Sequence, residues 1–216
     1  MRAANEIGVF NGNVLIAKNK KIIYQAEIGY ADTTKTKLLE PEHKLVIGSI
    51  TKESNSVGIM MLKEKGKLSL NDKVSKYLPE LPKWLEKIQI KNLLQYTSGL
   101  PQSKAETDSE YFQSLMKLEK LEFEPGSLYN YSNDNIFLQK KIIDKITGLN
   151  YNEFIRKSIF KPLKMEGVLV NTSATNQTIA QSFDNDYNKT TTSQGKNEIY
   201  LTIEDLYKWA ESISTF

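Results

Sequence analysis

Two short runs near the start of the chain are rich in apolar and β-branched residues. They lie at positions 13–17 and 21–28, with the polar pair Asn19-Lys20 between them. Runs of high strand propensity joined by a short polar connection predict a β-hairpin. Because a two-stranded hairpin is only marginally stable alone, further strands are expected beside it.

Two segments in the middle of the chain have the apolar spacing of helices. One begins near Ser49, directly after the strand-like run 45–48, and Gly66 is a natural C-terminal stop for it. The other, residues 136–146, separates an apolar from a polar face and closes at Gly148. Both patterns predict helices packed against a core.

Less regular segments fill the rest of the chain. Residues 72–81 suggest a short helix ended by prolines, and the polar stretch 102–122 suggests a surface excursion with one helix. Residues 171–196, rich in Asn, Thr, Gln and Ser, are expected to form a loop. Thr202, with two acidic residues after it, predicts the cap of a last helix.

Length and composition describe one globular domain over residues 1–216. Its expected parts are N-terminal strands in 1–48, a mainly helical region in 49–170, and a loop with the last helix in 171–216. The charge of +3, from 29 basic and 26 acidic residues, is balanced and its lysines are scattered, which argues against a nucleic-acid partner. No apolar run approaches membrane-spanning length.

The inventory of reactive side chains restricts the chemistry. Cys is absent and His43 is the lone histidine, which excludes thiolate chemistry and a histidine metal cluster and disfavours a Ser-His-Asp triad. A serine nucleophile then needs another base, and a lysine one helical turn away shares its helix face. That lysine has to be a neutral amine to accept the serine proton.

Four Ser-x-x-Lys intervals occur, beginning at Ser49, Ser114, Ser158 and Ser193, so the spacing alone is uninformative in so lysine-rich a chain. Context favours Ser49 with Lys52. Ser49 follows an apolar run and a glycine and opens an apolar helix, where backbone amides stabilise developing negative charge. The other three serines lie in polar settings.

A second candidate motif is Tyr131-Ser132-Asn133, between a Pro-Gly turn and a helix. A tyrosine beside a lysine cation releases its proton more readily and can pass it to a leaving group. An asparagine amide can hold both a lysine and a substrate carbonyl. The plain alternative is an aromatic core residue followed by a helix cap.

Five blocks, in order, resemble the serine β-lactamase and penicillin-binding-protein family, which includes class C β-lactamases, D-alanyl-D-alanine peptidases and esterases. The blocks are GNVLIAKNKKIIYQAEIG from position 12, IGSITKESNSVGIMMLKEKGKLSLNDKVSKYLPELP from 47, IQIKNLLQYTSGLP from 88, PGSLYNYSNDNIFLQKKIIDKITGLNYNEFIRKSIFKPLKMEGV from 125, and LTIEDLYKWAESI from 201.

The resemblance implies an α+β fold: an antiparallel sheet flanked by helices, plus a helical subdomain. It implies that Ser49 is acylated, that Lys52 is its base, that Tyr131 assists proton transfer and that Asn133 contacts substrate. Tyr96 stands where many relatives have histidine and class C enzymes tyrosine. The substrate would be a β-lactam, a D-Ala-D-Ala peptide of the peptidoglycan type or an ester, processed without metal or cofactor. Because members of the family act at the cell envelope, the resemblance implies a periplasmic or secreted protein.

One departure from the family pattern concerns its third motif, a Lys-Thr-Gly or His-x-Gly triplet on a late strand, which the 216 residues do not contain. That strand supplies an oxyanion-hole amide in the family. The expectation is that the chain is truncated and lacks the C-terminal strands. The alternatives are a catalytically inactive penicillin-binding-like module and a half-enzyme completed by a second chain.

Overall fold

The structure is a computed structural model that describes residues 1–170, 178–184, 186, 188 and 198–214. The chain divides into two compact units. The first unit joins Met1–Thr51 to Phe160–Phe216, and the second is Lys52–Ile159.

The described residues form helices and strands in the following order. They are α1 (Arg2–Glu6), β1 (Gly12–Lys18), β2 (Lys21–Ile28), β3 (Leu45–Val46), α2 (Thr51–Glu64), α3 (Ile90–Leu94), α4 (Asp108–Lys117), α5 (Asn133–Thr147), α6 (Tyr151–Ile155), β4 (Leu169–Val170), β5 (Ile199–Leu201) and α7 (Ile203–Ile213). Three 3₁₀ turns, Gly48–Ile50, Val74–Lys76 and Lys83–Lys87, and a π-helical turn, Arg156–Phe160, complete the set.

The predicted hairpin is confirmed in the first unit. Strands β1 and β2 pair antiparallel from Gly12 opposite Ile28 to Lys18 opposite Lys21. Asn19 and Lys20 both have positive φ, 51° and 61°. Two successive left-handed residues match the twist of a tight hairpin, so the polar pair closes the turn directly.

A second sheet in the first unit has the order β3-β5-β4, with both pairings antiparallel. Its central strand β5 is buried at all three residues, Ile199, Tyr200 and Leu201. Only the run around β3 is strand-like in the sequence. Strands of two or three residues are too short to show a period, which explains why β4 and β5 are not predicted.

The three principal helical predictions are confirmed. Helix α2 follows the 3₁₀ turn at Gly48–Ile50 and precedes Gly66, which has φ 64°. Helix α5 ends at Gly148 with φ 71°, the left-handed cap expected there. Thr202 caps α7 by accepting a hydrogen bond from the Asp205 amide at 3.2 Å.

The short helix predicted for residues 72–81 is wrong: only the 3₁₀ turn Val74–Lys76 forms there. The Val74 amide donates to the distant Ile88 carbonyl at 2.9 Å. Asp72 accepts hydrogen bonds from the Ser69 amide and the Tyr77 hydroxyl. The Val74 amide is thereby paired outside the segment, and Pro79 has no amide to donate.

Two further predictions differ in outcome. The polar stretch 102–122 does carry one helix, α4, capped by Thr107. The loop predicted for residues 171–196 lies mostly outside the described residues. In the part that is described, Gln181 accepts from the Thr33 amide at 3.2 Å and its own amide donates to the Ala31 carbonyl.

Candidate functional site

Ser49 lies in the first unit, at the end of a segment fixed by the second sheet. The Ile47 amide donates to the Ile199 carbonyl of β5 at 3.1 Å. Gly48 then turns the chain with φ 52°, a conformation that favours glycine. The exposed Ser49 follows in the 3₁₀ turn that leads into α2, so its backbone position is set by β3 and β5.

Lys52 is half-buried in the first turn of α2 and belongs to the second unit. Its Nζ lies 5.4 Å from the centroid of the Tyr131 ring. A lysine cation within about 6 Å of an aromatic face is attracted by the ring. The structure therefore brings together two of the predicted site residues that are far apart in the sequence.

Tyr131 also contacts a second aromatic ring. The Tyr96 ring stacks on it with centroids 5.0 Å apart and an interplanar angle of 18°. Burial, followed by the charges that Tyr131 and Tyr129 carry when ionised, raises the pKa of Tyr96 to about 12, so Tyr96 stays neutral at ordinary pH. Tyr96 is thus an uncharged support for Tyr131.

The residue after Tyr131 anchors the start of α5. The buried Ser132 donates its hydroxyl to the Pro101 carbonyl at 2.7 Å and accepts from the Asp134 amide at 3.2 Å. The Asn133 amide donates to Oε1 of Gln102 at 2.7 Å. Asn133 therefore contacts the loop after Gly99, and its role toward substrate stays a prediction.

Buried hydrogen bonds tie the Thr97-Ser98-Gly99 turn to the same helix. Ser98 donates its hydroxyl to Oδ1 of Asn135 at 2.6 Å, and both side chains are buried. Gly99 has φ 81° and lies against the Phe123 backbone, where a Cβ atom does not fit. These contacts make the surroundings of Tyr131 rigid.

Lys140, on α5, is a feature that sequence reasoning missed. It is 7% exposed, and its Nζ lies 5.0 Å from the centroid of the Tyr151 ring. The Tyr151 and Ser54 hydroxyls are hydrogen-bonded at 2.7 Å. Burial lowers the pKa of Lys140 to about 8. A lysine in an amphipathic pattern gives no sign of such burial.

Sequence reasoning also missed Tyr129 and the contact between the rings of Tyr96 and Tyr131. Tyr129 and Tyr131 are two residues apart, a spacing that places side chains on one side of an extended segment. Tyr96 precedes the Thr97-Ser98-Gly99 turn. Neither pattern by itself says that the rings meet.

The described residues give no sign of a metal site or a membrane-spanning helix. No group of three or more His, Asp or Glu side chains is placed to hold a metal ion within those residues. None of the helices there combines the length and the apolar character needed to cross a membrane.

Comparisons of sequence find consistent relatives. A sequence model of the family described as Beta-lactamase matches residues 2–215. Penicillin-binding protein 4* of Bacillus subtilis is 36% identical over 169 residues, which are 72% of this chain and 37% of that protein. The putative penicillin-binding protein PbpX of the same organism is 31% identical over 96% of this chain and 56% of its own length. The chain thus spans about a third to a half of these relatives.

Solved structures agree with the sequence comparisons. The crystal structure of FmtA from Staphylococcus aureus is matched over 99% of this chain and 64% of its own, with a TM-score of 0.82 and 26% identity. The octameric penicillin-binding protein homologue from Pyrococcus abyssi is matched over 92% of this chain and 51% of its own, with a TM-score of 0.77 and 25% identity. The α+β fold predicted from the sequence is confirmed.

Proposed function

This chain belongs to the beta-lactamase family, and from that premise we propose that it is a serine hydrolase whose Ser49 forms a covalent acyl-enzyme. Lys52 is the proposed base, Tyr131 the proton shuttle and Asn133 a substrate contact. The family has a serine-hydrolase-type fold, and these residues occupy the motifs on which the resemblance rests.

The observation that carries the proposal is the position of the Lys52 amine against the Tyr131 ring, with 5.4 Å between Nζ and the ring centroid. A base and an acid that share one proton pathway have to be neighbours. Ser49 precedes Lys52 by one helical turn in the sequence, the interval that aligns a nucleophile with its base on a helix face.

The proposed reaction has two steps. Ser49 Oγ attacks the substrate carbonyl carbon while its proton passes to the neutral amine of Lys52. Tyr131 transfers a proton to the leaving nitrogen or oxygen as the carbonyl carbon–leaving group bond breaks, and it regains a proton from Lys52. A serine ester remains. Water then attacks the ester, the acid product departs, and the Ser49 hydroxyl is restored.

We propose a β-lactam, a D-Ala-D-Ala peptide or an ester as substrate, and the cell envelope as the place of action. The names of the Bacillus relatives favour penicillins as the first probes.

The test is covalent labelling of the 216-residue chain with a fluorescent penicillin and, separately, a fluorophosphonate, followed over hours. We expect label on the unmodified chain, no label on Ser49→Ala, and labelling at least about 100-fold slower for Lys52→Met. Lys63→Met, on the exposed side of the same helix, is the matched control and should label normally.

Labelling that persists in Ser49→Ala would overturn the assignment of the nucleophile. Reversible penicillin binding without any covalent label would favour the alternative of a catalytically inactive penicillin-binding-like module. Label that appears only after addition of a second polypeptide would favour a half-enzyme.

A further inference from the structure

Three apolar or aromatic side chains project from one short segment of the second unit. Leu128 is 62% exposed, Tyr129 66% and Tyr131 44%. Isolated exposed apolar residues are ordinary, but a contiguous group of them marks a binding surface. We propose that Tyr96, Tyr129 and Tyr131, here called the tyrosine platform, bind a planar apolar substituent of the acyl donor.

The proposal rests on the proposed function, because Tyr131 is both a member of the tyrosine platform and the proposed proton shuttle. Its ring contacts the Lys52 amine and also stacks on Tyr96. The Tyr129 ring is tilted by 54° against Tyr96, with 6.1 Å between centroids. A group bound to these rings is therefore adjacent to the proposed base, as expected for a substituent of the molecule that reacts.

The platform is held in place before any ligand arrives. The Asn130 amide donates to the Tyr96 carbonyl at 2.9 Å. The Asn130 side chain donates to the Leu100 carbonyl at 3.1 Å and to the Glu122 carboxylate at 2.9 Å. Since Asn130 lies between Tyr129 and Tyr131, these bonds fix the backbone that carries both rings. Rigid aromatic side chains bind with little loss of conformational entropy.

The Tyr96 backbone is a second sign of a functional surface. Its φ of 57° lies in the left-handed region, which a bulky residue rarely adopts. Such conformations persist where the surroundings impose them, and they cluster at binding and active sites. In this protein the residue with the left-handed backbone, Tyr96, is the one whose ring stacks on the exposed Tyr131.

The geometry favours an apolar planar ligand over a charged one. Centroid separations of 5.0 and 6.1 Å fall within the range of attractive aromatic pairs, so a further ring can extend the arrangement. The carboxylates beside the platform are already engaged: Glu122 accepts a hydrogen bond from the Asn130 side chain, and Glu124 is paired with Lys87 at 2.7 Å.

The experiment measures equilibrium binding to Ser49→Ala, which cannot be acylated at that position. Isothermal titration calorimetry compares benzylpenicillin with 6-aminopenicillanic acid, which has the same bicyclic core but a free amine in place of the phenylacetamido side chain. We expect benzylpenicillin to bind about tenfold more tightly, the size of one good aromatic contact. Adding Tyr129→Ala should reduce this preference to about twofold or less.

Tyr24→Ala is the matched control, since Tyr24 is an exposed tyrosine on β2 in the first unit. It should leave the benzyl preference unchanged. The inference is overturned if neither penicillin binds, if both bind equally, or if Tyr24→Ala and Tyr129→Ala reduce the preference to the same extent.

Failure of this inference is distinguishable from failure of the proposed function. If the unmodified chain is acylated at Ser49 but shows no benzyl preference, the reaction stands and the platform does not. If the preference depends on Tyr129 but no acylation occurs, the platform binds penicillins and the proposed reaction is wrong.

Discussion

Replacement of the buried Lys140 by methionine should change the pH dependence of stability. The ammonium group is removed from water and faces the Tyr151 ring. Burial is the main cause of its lowered pKa; Lys141 and Lys52 act in the same direction and Asp108 and Asp144 against it. Folding therefore carries a penalty whenever this lysine is charged.

The size of that penalty follows from the two pKa values. Lys140 has a pKa of about 8 in the folded protein and the ordinary value of 10.5 when exposed. Between these values the unfolded chain holds a proton that the folded chain has released, so stability rises with pH. Below about pH 8 the full penalty applies, about 3 kcal/mol from 1.36 kcal/mol per pKa unit. Most of it disappears by pH 10.

The assay is urea unfolding of the unmodified chain and Lys140→Met at steps from pH 7 to pH 10. Methionine fills a similar volume without a charge. The loss of the contact with the Tyr151 ring offsets about 1 kcal/mol. We therefore expect Lys140→Met to be about 2 kcal/mol more stable at pH 7, with the difference decreasing by about 2 kcal/mol toward pH 10.

Lys145→Met, on the same helix but exposed, is the matched control and should keep the pH dependence of the unmodified chain. A stability difference between Lys140→Met and the unmodified chain that stays constant from pH 7 to pH 10 would refute the reasoning, because it would mean that Lys140 does not change protonation in that range. If Lys140→Met were less stable than the unmodified chain at pH 7, the predicted penalty for burying the lysine charge would also be contradicted.

Three further substitutions test the packing and the chemistry. Gly58→Ala places a Cβ 3.0 Å from Cδ1 of the fully buried Ile143. We therefore expect urea unfolding to show a free energy of unfolding lower by about 1 kcal/mol, although alanine has the better helix propensity. A stabilised variant would show that Ile143 moves aside without cost. Tyr151→Phe removes the 2.7 Å hydrogen bond to Ser54 and should lower the free energy of unfolding by about 1–2 kcal/mol, whereas an unchanged value would mean that the bond contributes nothing. Tyr131→Phe should slow penicillin labelling about 100-fold or more with an unaltered circular dichroism spectrum, and labelling at the normal rate would exclude the phenol as proton shuttle.

Local signals in the sequence account for the parts of the fold that were predictable. The hairpin closes at two polar residues, and α5 and α7 begin or end at residues whose capping chemistry is local. The helix predicted at residues 72–81 failed in part because the Val74 amide donates to the Ile88 carbonyl, a partner that no local pattern reveals. Strands β4 and β5 were missed because two or three residues are too few to show a period.

Some residues of the candidate site were predictable from the sequence and others were not. Ser49 and Lys52 follow from spacing and context, and their pairing with Tyr131 follows from the family resemblance. The burial of Lys140 and the stacking of Tyr96 on Tyr131 depend on tertiary contacts. In the sequence Lys140 does not differ from an ordinary surface lysine, and the position of Tyr96 in the family pattern does not say that its ring stacks on Tyr131.

The most direct test of the central claim is the location of the acyl group. The chain is incubated with benzylpenicillin and cleaved with trypsin, and the peptide from Leu45 to Lys52, LVIGSITK, is examined by mass spectrometry. Ring opening loses no atoms, so we predict that this peptide gains the mass of one whole penicillin molecule and that fragmentation places it on Ser49. Penicillin attached to any other residue, or an unmodified peptide together with penicillin that stays unhydrolysed, would contradict the account.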